Sequence, residues 1–106
     1  MITLPIKKQW YDMILSGDKK EEYREIKPYY TTRFINNGLL KEDIDSDTGS
    51  VSIVPRNVGV VRFRNGYSDR SPSFKAICDI SIGTGNIDWG AVPGEKYYVL
   101  HILSIE

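Results

Sequence analysis

Apolar positions in the first part of the chain follow two periods. Ile6, Trp10, Met13 and Ile14 recur at the spacing of one helix face, which predicts a helix over residues 6–16. Thr3 or Pro5 opens it, and Pro5 near the first turn suits a ring with fixed φ and no N–H. Gly17 follows the last periodic residue, where a left-handed cap costs a residue without a Cβ least. Residues 21–27 then read as a strand, so the turn between is tight. In a strand alternate side chains share a face. Glu22 and Arg24 therefore point one way, and Glu21, Tyr23 and Glu25 the other. Lys19 sits on the turn and leans over either face. One short stretch thus gathers an ammonium, a carboxylate and a guanidinium.

Further on, Tyr29–Phe34 reads as a short helix leading to the turn residues Asn36-Asn37-Gly38. Tyr23, Tyr29, Tyr30 and Phe34 bring aromatic rings together. Stacking on a base is one use for them, and packing under the loop is the commoner one. Residues 39–57 carry the weakest pattern: a mobile acidic loop or a hairpin, with a short strand over Ser50–Val54 ended by Pro55. Asp43, Asp45 and Asp47 alternate before Gly49, but the glycine is one place late for a calcium loop and Val54 stands where its last glutamate belongs. Val58–Arg64 is a strand whose Arg62 and Arg64 share a face, to meet phosphate or simply to form the polar side of a half-buried strand. Asn65-Gly66 is a turn signal. Phe74–Ile82 is a strand with Phe74, Ala76, Cys78 and Ile80 on one face. Lys96–Ile105 is a long final strand, apolar on both faces and therefore central.

Several strands, one strong helix and no strand–helix alternation argue against a layered parallel sheet. The expectation is an α+β fold: a small mixed or antiparallel β-barrel with an N-terminal amphipathic helix and short flanking helices. The 106 residues are of a size for one domain. Apolar residues make up 41% and charged residues 26%, a globular composition. Lys plus Arg equal Asp plus Glu at 14 each, so any attraction to nucleic acid must come from a local patch. Cys78 is the lone cysteine, which excludes an internal disulfide and a cysteine-rich zinc site. Its apolar neighbours mark a buried thiol. His101 lies inside the last strand, and a nucleophile pair with Cys78 is not expected. No metal or other cofactor is implied. No long apolar run is present, so the expected setting is cytoplasmic and away from the membrane. The pattern carries no reading of oligomeric state.

On spacing alone, Glu22 and Arg24 form a solvated edge pair worth ~0–1 kcal/mol. The order Gly17-x-Lys19-x-x-Glu22-x-Arg24 adds to this, because it resembles the Gly-x-Lys-x-x-Glu-x-Arg signature of the ASCH domain family, relatives of the PUA-like RNA-binding fold. The resemblance extends to Trp10 and Leu15-Ser16-Gly17, to Asn65-Gly66-Tyr67-Ser68, and to the stretch from Trp89-Gly90 to Tyr98. The middle segment has no counterpart. The resemblance implies a PUA-like barrel over the whole chain with a cleft beside the motif, and RNA or a modified nucleotide as the partner. Lys19 and Arg24 would meet phosphate or polar base edges. Glu22 would accept from a base and orient Arg24. Asn65, Tyr67 and Ser68 would offer polar atoms at the rim.

Some ASCH relatives look like acetylcytidine amidohydrolases and others like ribonucleases, which implies a second function class. The amidohydrolases use a motif lysine, a threonine nucleophile and a strand glutamate. Lys19 matches the lysine, Glu22 stands in place of the threonine, and Asp79 is the nearest counterpart of the glutamate. Without a hydroxyl there, a metal-independent hydrolase would use Glu22 as general base on water, with Lys19 stabilising the developing charge and Arg24 beside them. A third class is a regulatory domain that binds a protein partner.

Overall fold

The first five apolar-rich residues form a strand, not the start of a helix. In the computed structural model, which describes residues 1–106, β1 spans Ile2–Ile6, and helix α1 spans Lys8–Ser16. Ile2, Leu4 and Ile6 alternate with Thr3 and Pro5, and all three are buried. Ile6 belongs to both a period-two and a period-3.6 pattern, and the strand takes it. Pro5 is tolerated because β1 is an edge strand. The helix buries Tyr11 and Ile14, while Trp10 is only partly covered. Its end is as expected: Gly17 has φ 87° and donates to the Ile14 carbonyl.

Strand β2 (Glu21–Glu25) follows, then α2 (Pro28–Asn36), with Pro28 in its first turn. The weakly patterned segment is a hairpin, β3 (Leu40–Ile44) and β4 (Val51–Pro55). Its turn is tied by Asp45 Oδ1, which accepts from the Asp47 N–H at 2.8 Å. The remaining strands are β5 (Gly59–Asn65), β6 (Ser73–Thr84) and β7 (Lys96–Ile105). The loop from β6 to β7 contains a 3₁₀ turn at Ile87–Trp89.

Five strands make one mixed sheet in the order β1-β5-β6-β7-β2. Only β1 and β5 run parallel; the other pairs are antiparallel. The sheet curls into a half-barrel, so β1 and β2 remain as its two edges. The concave face carries the core of 15 buried residues, among them Leu4, Val61, Phe63, Ala76, Cys78, Tyr98 and Leu100. Helix α2 closes onto it with Phe34, whose ring meets Tyr98 edge-on at 5.6 Å. Leu39 and Leu40 complete the core. On the convex face the loop after β6 straps over Tyr23, Tyr97 and Val99, packing its own Ala91 against them. No helix is long and apolar enough to cross a membrane.

Candidate functional site

The two open edges of the half-barrel face each other, and charged side chains take the place of the missing strand pairing. Glu22 and Arg24 pair with Leu100 and Tyr98 of β7 and turn toward the concave side. Tyr23, with opposite parity, turns its backbone groups to the open edge. Its N–H donates to Glu22 Oε1 at 3.0 Å, and its carbonyl accepts from Arg24 Nη1 at 2.8 Å. Arg24 Nη2 then crosses the gap to donate to the Pro5 carbonyl of β1 at 3.0 Å. A guanidinium is planar and has five N–H donors, so one side chain can hold both edges.

Glu22 Oε1 also receives Arg24 Nη1 at 3.4 Å and Lys19 Nζ at 3.7 Å. Glu22 is 5% exposed, and its second oxygen, Oε2, is buried without a hydrogen-bond partner. A buried carboxylate oxygen left unpaired is costly. Lys19 is 1% exposed. Its ammonium donates to the Trp89 carbonyl at 2.6 Å and lies 4.6 Å from the Trp10 ring centroid and 5.0 Å from that of Tyr23. Burial holds its pKa below the ordinary lysine value, opposed by Glu22. Tyr23 Oη donates to Glu21 Oε1 at 2.7 Å and accepts the Asn86 N–H at 2.8 Å. Burial raises its pKa, which keeps the hydroxyl a donor.

A cleft of about 600 Å³ opens over this seam. Glu22, Arg24 and the β1 residues Thr3 and Pro5 line it, with Trp10 and Trp89 on one side. Across from them stand Tyr29, Tyr30 and Arg33 of α2. That wall alternates cation and ring: Arg33 lies over Tyr29 at 5.1 Å, and Arg24 over Tyr30 at 5.8 Å. Tyr29 and Tyr30 meet edge-on at 5.0 Å. Lys7 and Lys8 add charge at the mouth, where Lys8 also pairs with Asp12 at 2.5 Å. Asn65, Gly66 and the exposed Tyr67 close the remaining side.

The site residues read from the sequence are thus distributed unevenly. Glu22, Arg24, Asn65 and Tyr67 border the cleft. Lys19 contacts Glu22 from behind and does not border it, nor does the exposed Ser68. Asp79 is on the convex face, opposite His101 in register. Arg62 and Arg64 share that outward parity, bound to Ser73 Oγ and to Asp69. Cys78 is in the core and His101 on the other face, so the two do not meet. The sequence reading missed Lys7, Lys8 and Arg33. Arg33 was legible in principle, since it follows Tyr29 by one helical turn. The four aromatic residues also divide: Tyr29 and Tyr30 line the cleft, Phe34 is core, and Tyr23 packs under the strap while also bordering the cleft.

The chemistry available is recognition of a flat, polar ligand: an unpaired carboxylate oxygen at depth, rings on both walls and cations at the mouth. Comparison with family models, with curated proteins and with solved structures returned no match.

Proposed function

We infer that the seam cleft binds RNA or a nucleotide derivative, and that the chain is a PUA-like domain of the ASCH type. The observation that carries this reading is Glu22 Oε2, a buried acceptor without a partner beneath an aromatic-walled cleft. A base inserted between Trp10 and Tyr30 would stack on at least one ring and give an N–H to that oxygen. Arg33, Lys7 and Lys8 are placed to meet a phosphate at the mouth. The helix–tight turn–strand order around Gly17, Lys19, Glu22 and Arg24 supports the family part of the reading.

Calorimetric titration with nucleosides, nucleoside monophosphates and short single-stranded RNAs tests it. Glu22→Gln replaces an acceptor with a donor or leaves a wrong rotamer. It should weaken the preferred base by about 10- to 100-fold, the range for a hydrogen bond to a charged group. Arg33→Gln should weaken all phosphate-bearing ligands alike and reduce the salt slope. No binding by the parent protein to any member of the panel would refute the reading. Nothing in the geometry of the seam cleft favours hydrolysis over binding, since the Lys19 ammonium does not line the cleft, packs on Trp10 and is tied to the Trp89 carbonyl.

A further inference from the structure

On the convex face, three side chains from three strands lie in a row, joined by one hydrogen bond and one ion-pair contact. Register sets Glu21 of β2 and Asp79 of β6 on either side of His101 of β7. Ser81, two residues beyond Asp79, shares its face. Ser81 Oγ lies 2.7 Å from His101 Nε2, and His101 Nδ1 lies 3.3 Å from Glu21 Oε2. Glu21 is itself anchored, because its Oε1 accepts from Tyr23 Oη at 2.7 Å. The Tyr23 hydroxyl is fixed in turn by the Asn86 N–H at 2.8 Å. A carboxylate only accepts, so its place beside Nδ1 favours the tautomer that is protonated there. Nε2 is then the acceptor, and the Ser81 hydroxyl donates to it.

We propose that Ser81 is a nucleophile toward activated acyl and phosphonyl donors, with His101 as its general base and Glu21 as the positioning residue. The order hydroxyl–imidazole–carboxylate is the arrangement in which a serine is activated by an adjacent base that a third group orients. Two further features separate the array from a simple tie between strands. Asp79, which pairs with His101 in register, has a buried Oδ1 without a partner, so a second carboxyl group stands on the same face near the imidazole. A groove of about 430 Å³ lined by Arg56, Asn57 and Val58 reaches Asp79, two residues from Ser81 along the same strand. The His101 and Glu21 side chains are 36% and 26% exposed, within reach of a small reagent.

In the step itself, Ser81 Oγ forms a bond to the carbonyl carbon or phosphorus, and its proton moves to His101 Nε2. The bond to the leaving group breaks, and a phenolate or fluoride departs with the electron pair. With an ester, His101 first gives its proton to the departing phenolate. Water then attacks the acyl-serine and passes a proton to His101 Nε2, which returns it to Ser81 Oγ as the acyl bond breaks and the acid leaves. No oxidant, reductant or metal enters this balance.

The test is reaction of the full chain with a fluorophosphonate probe, read by intact mass and peptide mapping, beside p-nitrophenyl acetate turnover. The expected result is one phosphonyl adduct, on Ser81, absent in Ser81→Ala. His101→Gln should slow adduct formation by about 10²- to 10⁴-fold, the usual contribution of a general base. Glu21→Gln, which keeps the acceptor for Tyr23, should slow it less and change its pH profile. A tie between strands would move neither the rate nor the profile. Absence of an adduct on Ser81 in the parent protein overturns the proposal, whatever the variants do. So does labelling that persists at the parent rate in His101→Gln.

Discussion

Arg24 carries more of the structure than its place in a charged run suggests. It pairs with Glu22 and donates to one carbonyl on each edge of the sheet. Arg24→Ala would leave the Glu22 carboxylate buried with Lys19 as its remaining ionic partner and two edge carbonyls unpaired. The expected loss is ~3–5 kcal/mol, the usual result of breaking a buried pair from one side. Lys8→Ala removes only an exposed pair and should cost less than ~1 kcal/mol. Urea denaturation of the two variants checks the contrast, and equal losses would contradict it. Cys78 gives a second residue-level prediction. Its thiol, ordinarily ionising near 9.0, is pushed up to about 12 by burial. Between those values the unfolded chain binds fewer protons than the folded one, so this group makes stability fall as pH rises. The slope is at most ~1.4 kcal/mol per pH unit. Tyr23, also raised, adds a fall above its ordinary value, while Lys19, lowered by burial, opposes it up to 10.5. The difference between the parent and Cys78→Ala therefore isolates the thiol. Denaturation midpoints from pH 8 to about 11 should converge toward the alkaline end. A gap that stays constant with pH would contradict the assignment.

At the scale of elements, α1, β5 and β6 were legible because each keeps one period over most of its length, and β7 because it is apolar on both faces. β1 was hidden by Ile6, which satisfies two periods, and by Pro5, which reads as a helix opener until the strand is known to be an edge. The parallel pairing of β1 with β5 joins residues about sixty positions apart and leaves no local mark. The strap after β6 was legible only as turn residues. Its seat depends on Gly85, where an added Cβ would lie 2.6 Å from Tyr23 Cε1 and 2.7 Å from Ala91 Cβ. The space is closed by a ring and a backbone-borne methyl, so neither can easily give. Gly85→Ala should cost ~1–3 kcal/mol through overpacking. Amide exchange at Asn86–Ala91 should quicken more than exchange in β5 and β6. Unchanged protection along the strap would show that the loop is held elsewhere.

At the scale of the molecule, the half-barrel explains why the charged stretch after α1 becomes a buried site. An open seam leaves backbone groups to be satisfied, and Glu22 and Arg24 do so by turning inward. Strand parity placed those two together from sequence alone. Parity did not reveal that Lys19 passes behind the wall, because its partner carbonyl belongs to Trp89, 70 residues away. Nor did it reveal the Ser81–His101–Glu21 array, which needs the register of three strands at once. Both tryptophans of the chain, Trp10 and Trp89, line the cleft, so their fluorescence, excited selectively over that of the seven tyrosines, reports on it. Titration of that emission with nucleoside monophosphates and short single-stranded RNA, in the parent and in Glu22→Gln, is the most direct measurement. Saturable quenching by a preferred base, weakened about 10-fold or more in Glu22→Gln, is the expected result. Emission that stays unchanged up to millimolar ligand, or quenching indifferent to Glu22, would contradict a nucleotide site at the seam.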